Sequence, residues 1–173
     1  MGRAVGVAAI AGLVGLAIVI DATVFGPLAL PGAPPNLVLL VVTSWALASG
    51  PLPGAVLGFL AGLATDIVPP ADHLVGRYAL VMCIAGYVAG LWREETRDSV
   101  PLALLVVAVS VGIGTALYVG SGLVFGELPG SGASALSAAL LSVGYDVVLA
   151  PFVVPAVLRV ARRVAGTRSR QAA

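Results

Sequence analysis

Asp21, Asp66, Asp146 and Arg77 stand inside or at the edge of long apolar runs. A charge at the centre of a bilayer costs at least ~2.5–3.5 kcal/mol, so each of these four is by default a candidate for function. Two carboxylates sharing a proton can activate water, as in an aspartyl protease. Tyr145-Asp146 suits one half of such a dyad, but the other half asks for Gly-x-Gly-Asp, and Leu63 and Thr65 stand where the glycines belong. A serine nucleophile needs a histidine base. The only histidine, His73, falls in the loop 69–75, and no motif ties a serine to it. A lone histidine also excludes a multi-histidine metal site of the His-Glu-x-x-His kind. The single cysteine, Cys83, builds neither a disulfide nor a thiolate metal site within one chain. The chain therefore reads as a non-enzyme, with no catalytic, cofactor-binding or metal-binding residues.

Depth separates the four charges. Asp66 comes twelve residues after Gly54, about 18 Å along a helix at 1.5 Å per residue, which puts it near the outer edge of a span. Arg77 follows after a short connection stiffened by Pro69-Pro70, so the two read as a helix-end pair that orders the outer surface. Asp21 also falls near the outer side. Asp146 sits near the middle of its segment and is expected deep in the bundle, either neutral or hydrogen-bonded to hydroxyls and to carbonyls freed near Pro151 and Pro155.

The elements that must position these residues are membrane helices. Of 173 residues, 60% are hydrophobic and 10% charged, against roughly 25% charged in a soluble domain, which leaves no room for an appended soluble catalytic domain. A span needs roughly 17–25 residues. The sequence predicts an all-α polytopic bundle with spans over about 4–24, 36–49, 54–68, 74–92, 100–125 and 133–158, followed by a basic tail, 159–173. The second and third segments are short, and a re-entrant pair is the alternative to two full crossings. All nine positive residues are arginine. With six crossings and the N-terminus inside, Arg3, Arg93, Arg97, Arg159, Arg162, Arg163, Arg168 and Arg170 fall on the cytoplasmic side and only Arg77 outside, as the positive-inside rule requires. Both termini are thus expected in the cytoplasm. The first helix is read as uncleaved, because its n-region is weak and its apolar stretch exceeds the usual 7–15 residues.

Small residues recur every four positions: Ala4, Ala8 and Gly12; Gly54, Gly58 and Gly62; Gly86 and Gly90, with Tyr87 beside them; and Gly112, Ala116 and Gly120. Such rows line one helix face and allow close backbone approach where lipid supplies no hydrophobic force between helices. They are read as packing this chain's own bundle, with the first helix the best candidate for a row offered to another subunit. The arginines of the tail read as an orientation anchor, with anionic lipid or a cytoplasmic protein as the alternative partner. The segment Trp92 to Asp98 has balanced charge and reads as a solvated turn or protein-contact patch rather than a lipid clamp, with Trp92 as an interface anchor. A net charge of +1 suggests no nucleic acid or other polyanionic partner.

Several motifs in order resemble the rod shape-determining protein MreD family. They are Pro35-Asn36-Leu37; Gly54-x-x-x-Gly58-Phe59-x-x-Gly62-Leu63-x-x-Asp66; Gly76-Arg77-Tyr78-Ala79-Leu80; Gly86-Tyr87-Val88-Ala89-Gly90; and Tyr145-Asp146-Val147-Val148-Leu149-Ala150-Pro151-Phe152, where the family often has an amide in place of Asp146. The resemblance implies a non-enzymatic inner-membrane component of the cell-elongation machinery for lateral peptidoglycan synthesis. Its implied partners are the bitopic protein MreC and, through it, the RodA polymerase with its penicillin-binding transpeptidase and the actin-like MreB. It also implies a layout similar to that of the S subunits of energy-coupling-factor vitamin transporters. The alternative function is therefore a solute-binding subunit with a pocket near Asp66, His73 and Arg77, against which stands the scarcity of polar and aromatic residues to line it. Helix packing or partner contact is the expected role of Gly54, Gly58, Gly62, Asp66, Arg77, Gly86, Tyr87, Gly90 and Asp146.

Overall fold

The computed structural model describes residues 2–28, 30–68, 75–125 and 132–169. His73, Pro69-Pro70 and the end of the basic tail lie outside the described residues. Six α-helices make up the described fold: α1 (Gly2–Ile20), α2 (Leu37–Ser49), α3 (Pro51–Ile67), α4 (Arg77–Leu91), α5 (Val100–Phe125) and α6 (Gly132–Ser169). No strand occurs among the described residues. Three helical stretches, Gly6–Phe25, Val100–Val124 and Ser134–Arg163, are long and apolar enough to cross a membrane; α2, α3 and α4 are apolar but shorter.

The breaks follow local chemistry. The last turn of α1 widens into a π-helical turn, Asp21–Phe25, in which the Gly26 N–H donates to the Asp21 carbonyl at 2.9 Å. Pro34-Pro35 keeps the chain extended until Asn36, whose Oδ1 accepts from the Leu39 N–H at 2.9 Å and starts α2. Gly50, at φ +99°, ends α2 and reverses the chain, and Pro51 opens α3 at a position where its missing N–H costs nothing.

Helix α2 is the centre of the molecule. Residues from Leu37 to Ser44 are all buried, as are Ala46 and Leu47, and the helix contacts each of the other five. A helix apolar on every face must be enclosed on every face. Thr43 and Ser44 satisfy their hydroxyls within α2, on the carbonyls of Leu39 and Leu40. The other helices close around it, α3 pairing most extensively with α4.

Helix α6 continues to Ser169, so residues 159–169, read from the sequence as tail, are helical. The arginines that ended the apolar reading at Leu158 lie beside an inward stripe of Val154, Val157 and Ala161 that stays buried one turn further. Pro151 and Pro155 are carried inside this helix.

Candidate functional site

The polar groups of the bundle collect at one end, where α2 and α4 begin. The C-terminal ends of these two helices are level, because a Cβ on Gly90 would lie 2.6 Å from the backbone of Gly50 and Pro51. From there, the 13 residues of α2 and the 15 of α4 reach only about 20 and 22 Å, short of a hydrocarbon core of roughly 30 Å. Their N-termini therefore start inside the bundle, beside the longer helices that are apolar enough to cross a membrane. A helix start leaves four N–H groups unbonded, and in hydrocarbon no water can take them.

Carboxylates from other helices do so. Asp66, near the end of α3 and fully buried, accepts from the backbone N–H of Gly76 at 2.8 Å, of Tyr78 at 3.1 Å and of Ala79 at 3.2 Å. At the start of α2, Asp146 of α6 accepts from the Asn36 N–H at 2.8 Å, and Asp21 from those of Leu37 and Val38, each at 3.3 Å. With Asn36 capping Leu39, four consecutive N–H groups are met by three side chains from three elements. Negative charge is also where the helix dipole favours it. Two further bonds from α6 hold the approach to α2: Ser142 donates to the Pro34 carbonyl at 2.8 Å, and the Tyr145 hydroxyl to that of Pro31 at 3.3 Å.

Arg77 is buried between α4 and α5. Its Nε donates to the Ser121 hydroxyl at 2.9 Å, its Nη2 donates to the Tyr118 carbonyl, and its guanidinium lies 3.8 Å from the centre of the Tyr118 ring. Tyr118 in turn stacks on Tyr78 with ring centres 4.5 Å apart. Asp66 thus clamps α3 to α4, and Arg77 clamps α4 to α5.

The glycine rows fall into two groups. A Cβ on Gly54 would lie 2.6 Å from the Gly86 carbonyl oxygen, on Gly58 2.6 Å from the Met82 carbonyl carbon, and on Gly62 2.6 Å from the Ala79 Cα. These rows, with Gly86 and Gly90, form a backbone-to-backbone seam between α3 and α4. By contrast Gly12, Gly112 and Gly120 have no neighbour within 4 Å. Tyr87 is 44% exposed and points away from the seam.

A cavity of about 440 Å³ opens among α2, α4, α5 and α6 at the carboxylate end. Its polar lining includes Asp21, Asn36, Thr65, Tyr78, Thr115 and Tyr118. Asp66 and Arg77 do not line it; Arg77 lines a separate apolar groove between α4 and α5. Aromatic residues are scarce in the chain, but folding brings two of the four tyrosines into one wall of this cavity. The expected surroundings of Asp146 are corrected: it is 1% exposed, its partner is a backbone N–H of another segment, and its Oδ2 has no partner among the described residues. Sequence reading missed the task of Asp21. The signal was present, because a helix opening after two prolines inside an apolar chain must borrow acceptors, and few acids are there to lend them. No group of three potential metal ligands occurs among the described residues.

The family model described as rod shape-determining protein MreD matches residues 3–125, which takes in α1 through α5. No curated protein and no solved structure matches the chain.

Proposed function

Since the chain belongs to the rod shape-determining protein MreD family, we propose that it is a non-enzymatic scaffold of the cell-elongation machinery, holding a partner such as the bitopic MreC for lateral peptidoglycan synthesis. In this reading it crosses the bacterial inner membrane six times with both termini in the cytoplasm, and RodA, its penicillin-binding transpeptidase and MreB are reached through the partner. The observation that carries it is the exposed face of α1. This helix packs Gly6, Ile10, Val14 and Ala17 inward, and leaves Val7, Ala8, Ala11, Gly12, Gly15 and Leu16 exposed. Small residues flanked by apolar ones are what a single partner helix needs for close approach within lipid. Asp21, Asp66 and Asp146, meanwhile, accept from backbone N–H groups at helix starts.

The test is a photo-crosslinking residue placed in turn at Gly12 on α1 and at Leu140 on the exposed side of α6. Crosslinks to the bitopic partner from Gly12 and not from Leu140 are expected. Crosslinks from Leu140 alone would move the interface to another face, and none from either would remove the support for a scaffold. A second reading, the solute-binding subunit of a transporter, has one observation in its favour, the cavity of about 440 Å³ at the carboxylate end. It requires a solute retained in the purified protein, detectable by native mass spectrometry.

A further inference from the structure

At the opposite end of the bundle, three arginines from two parts of the chain converge on one small cavity. Arg93 and Arg97 come from the turn between α4 and α5, and Arg162 from α6; the cavity, about 180 Å³, is floored by Leu47, Ala103, Leu158 and Ala161. We propose that this cavity binds the phosphate of an anionic glycerophospholipid headgroup in the leaflet facing the arginine-rich end.

Its construction supports this. The Arg93 Nε donates to the Ala48 carbonyl at 3.1 Å, which pins that guanidinium to the end of α2. The Arg162 Nη2 reaches the Arg97 carbonyl at 3.4 Å, which draws α6 toward the turn. One acid competes: Glu94 lies 3.8 Å from Arg93 and 3.7 Å from Arg97, with its side chain 69% exposed, so both contacts are loose. No acid lines the cavity itself. Thr96, buried against it, already donates to the Trp92 carbonyl at 2.7 Å. The first turn of α5 forms part of the wall through Ala103.

The chemistry selects among anions. A guanidinium presents a planar fork that matches phosphate oxygens, which a compact ammonium does not. The apolar floor disfavours a fully hydrated free ion and suits a phosphate that carries a glycerol and acyl chains. Half-exposed Trp92, adjacent in sequence, marks the depth of a headgroup layer. Balanced charge in the turn had argued against a lipid clamp. The proposal departs from that reading because Arg162 joins the turn, brought in by the helical continuation of α6.

The test uses the full-length protein in detergent, with dioctanoyl phosphatidylglycerol as probe and dioctanoyl phosphatidylcholine and inorganic phosphate as comparisons. Binding is read by native mass spectrometry and by the shift in thermal midpoint. Phosphatidylglycerol should bind most tightly, and Arg97→Gln and Arg162→Gln should each weaken it about fivefold. Arg159→Gln, which removes an exposed arginine outside the cavity, should leave it unchanged. Equal binding of phosphatidylcholine, or unchanged binding in both cavity variants, would overturn the proposal. So would inorganic phosphate binding as tightly as the lipid, which would make this a free-anion site.

Discussion

Asp66 accepts three backbone N–H groups at a fully buried helix start, and the chemistry of that role predicts a graded mutational series. Asp66→Asn keeps one acceptor oxygen and should cost ~1–2 kcal/mol, whereas Asp66→Leu strands all three donors and should cost on the order of 3 kcal/mol or more. Asp146→Asn should be close to neutral, because only Oδ1 is bonded and the amide retains that oxygen; Asp146→Leu should cost ~1–3 kcal/mol by stranding the Asn36 N–H. Thermal midpoints of the detergent-solubilised variants check both series, and equal loss for Asn and Leu at either position would contradict the capping role. The place of Asp66 near a helix end was legible from its twelve-residue offset from Gly54, but Asp146, expected deeper than Asp21, meets the same start of α2 as Asp21 does. Their partners were not legible. Backbone N–H groups occur at every residue but proline, so no side-chain type announces which of them needs an acceptor.

Among the elements, the α3–α4 seam leaves no room even for a methyl group. Gly58→Ala should force the two backbones apart and sharply reduce accumulation, because the atoms in the way are main chain and cannot rotate aside. Gly112→Ala meets open space and should accumulate normally, with a gain of up to ~1 kcal/mol from helix propensity. Membrane-fraction blots of the two variants make the comparison, and equal accumulation would dissolve the seam. Four-residue spacing was enough to find these faces in the sequence. It could not say which row meets which, and the rows on α3 and on α5 look alike until the neighbours of Gly58 and Gly112 are seen. Helix α5 has in the structure the bounds read from the sequence, 100–125. The end of α6 differs, because arginine reads as a stop signal although one helix face can stay buried beneath it, as Ala161 does.

For the whole molecule, acid-capped helix starts lie at one end and clustered arginines at the other, a polarity from which the positive-inside rule predicts an orientation. Reporter fusions after Ala173 and within 126–132 should report opposite sides, the former cytoplasmic; a periplasmic report after Ala173 would require an odd number of crossings. We propose that this chain serves rod shape by holding partners, its buried acids joining helices rather than moving protons or activating water. The most direct measurement is replacement of the native chain by Asp66→Asn in growing cells, scored together for cell shape, protein level and co-purification of the bitopic partner. An amide still accepts a hydrogen bond but cannot serve as an acid or base. Rod-shaped cells with the partner retained are the expected result; rounded cells, at normal protein level and with the partner still bound, would contradict it.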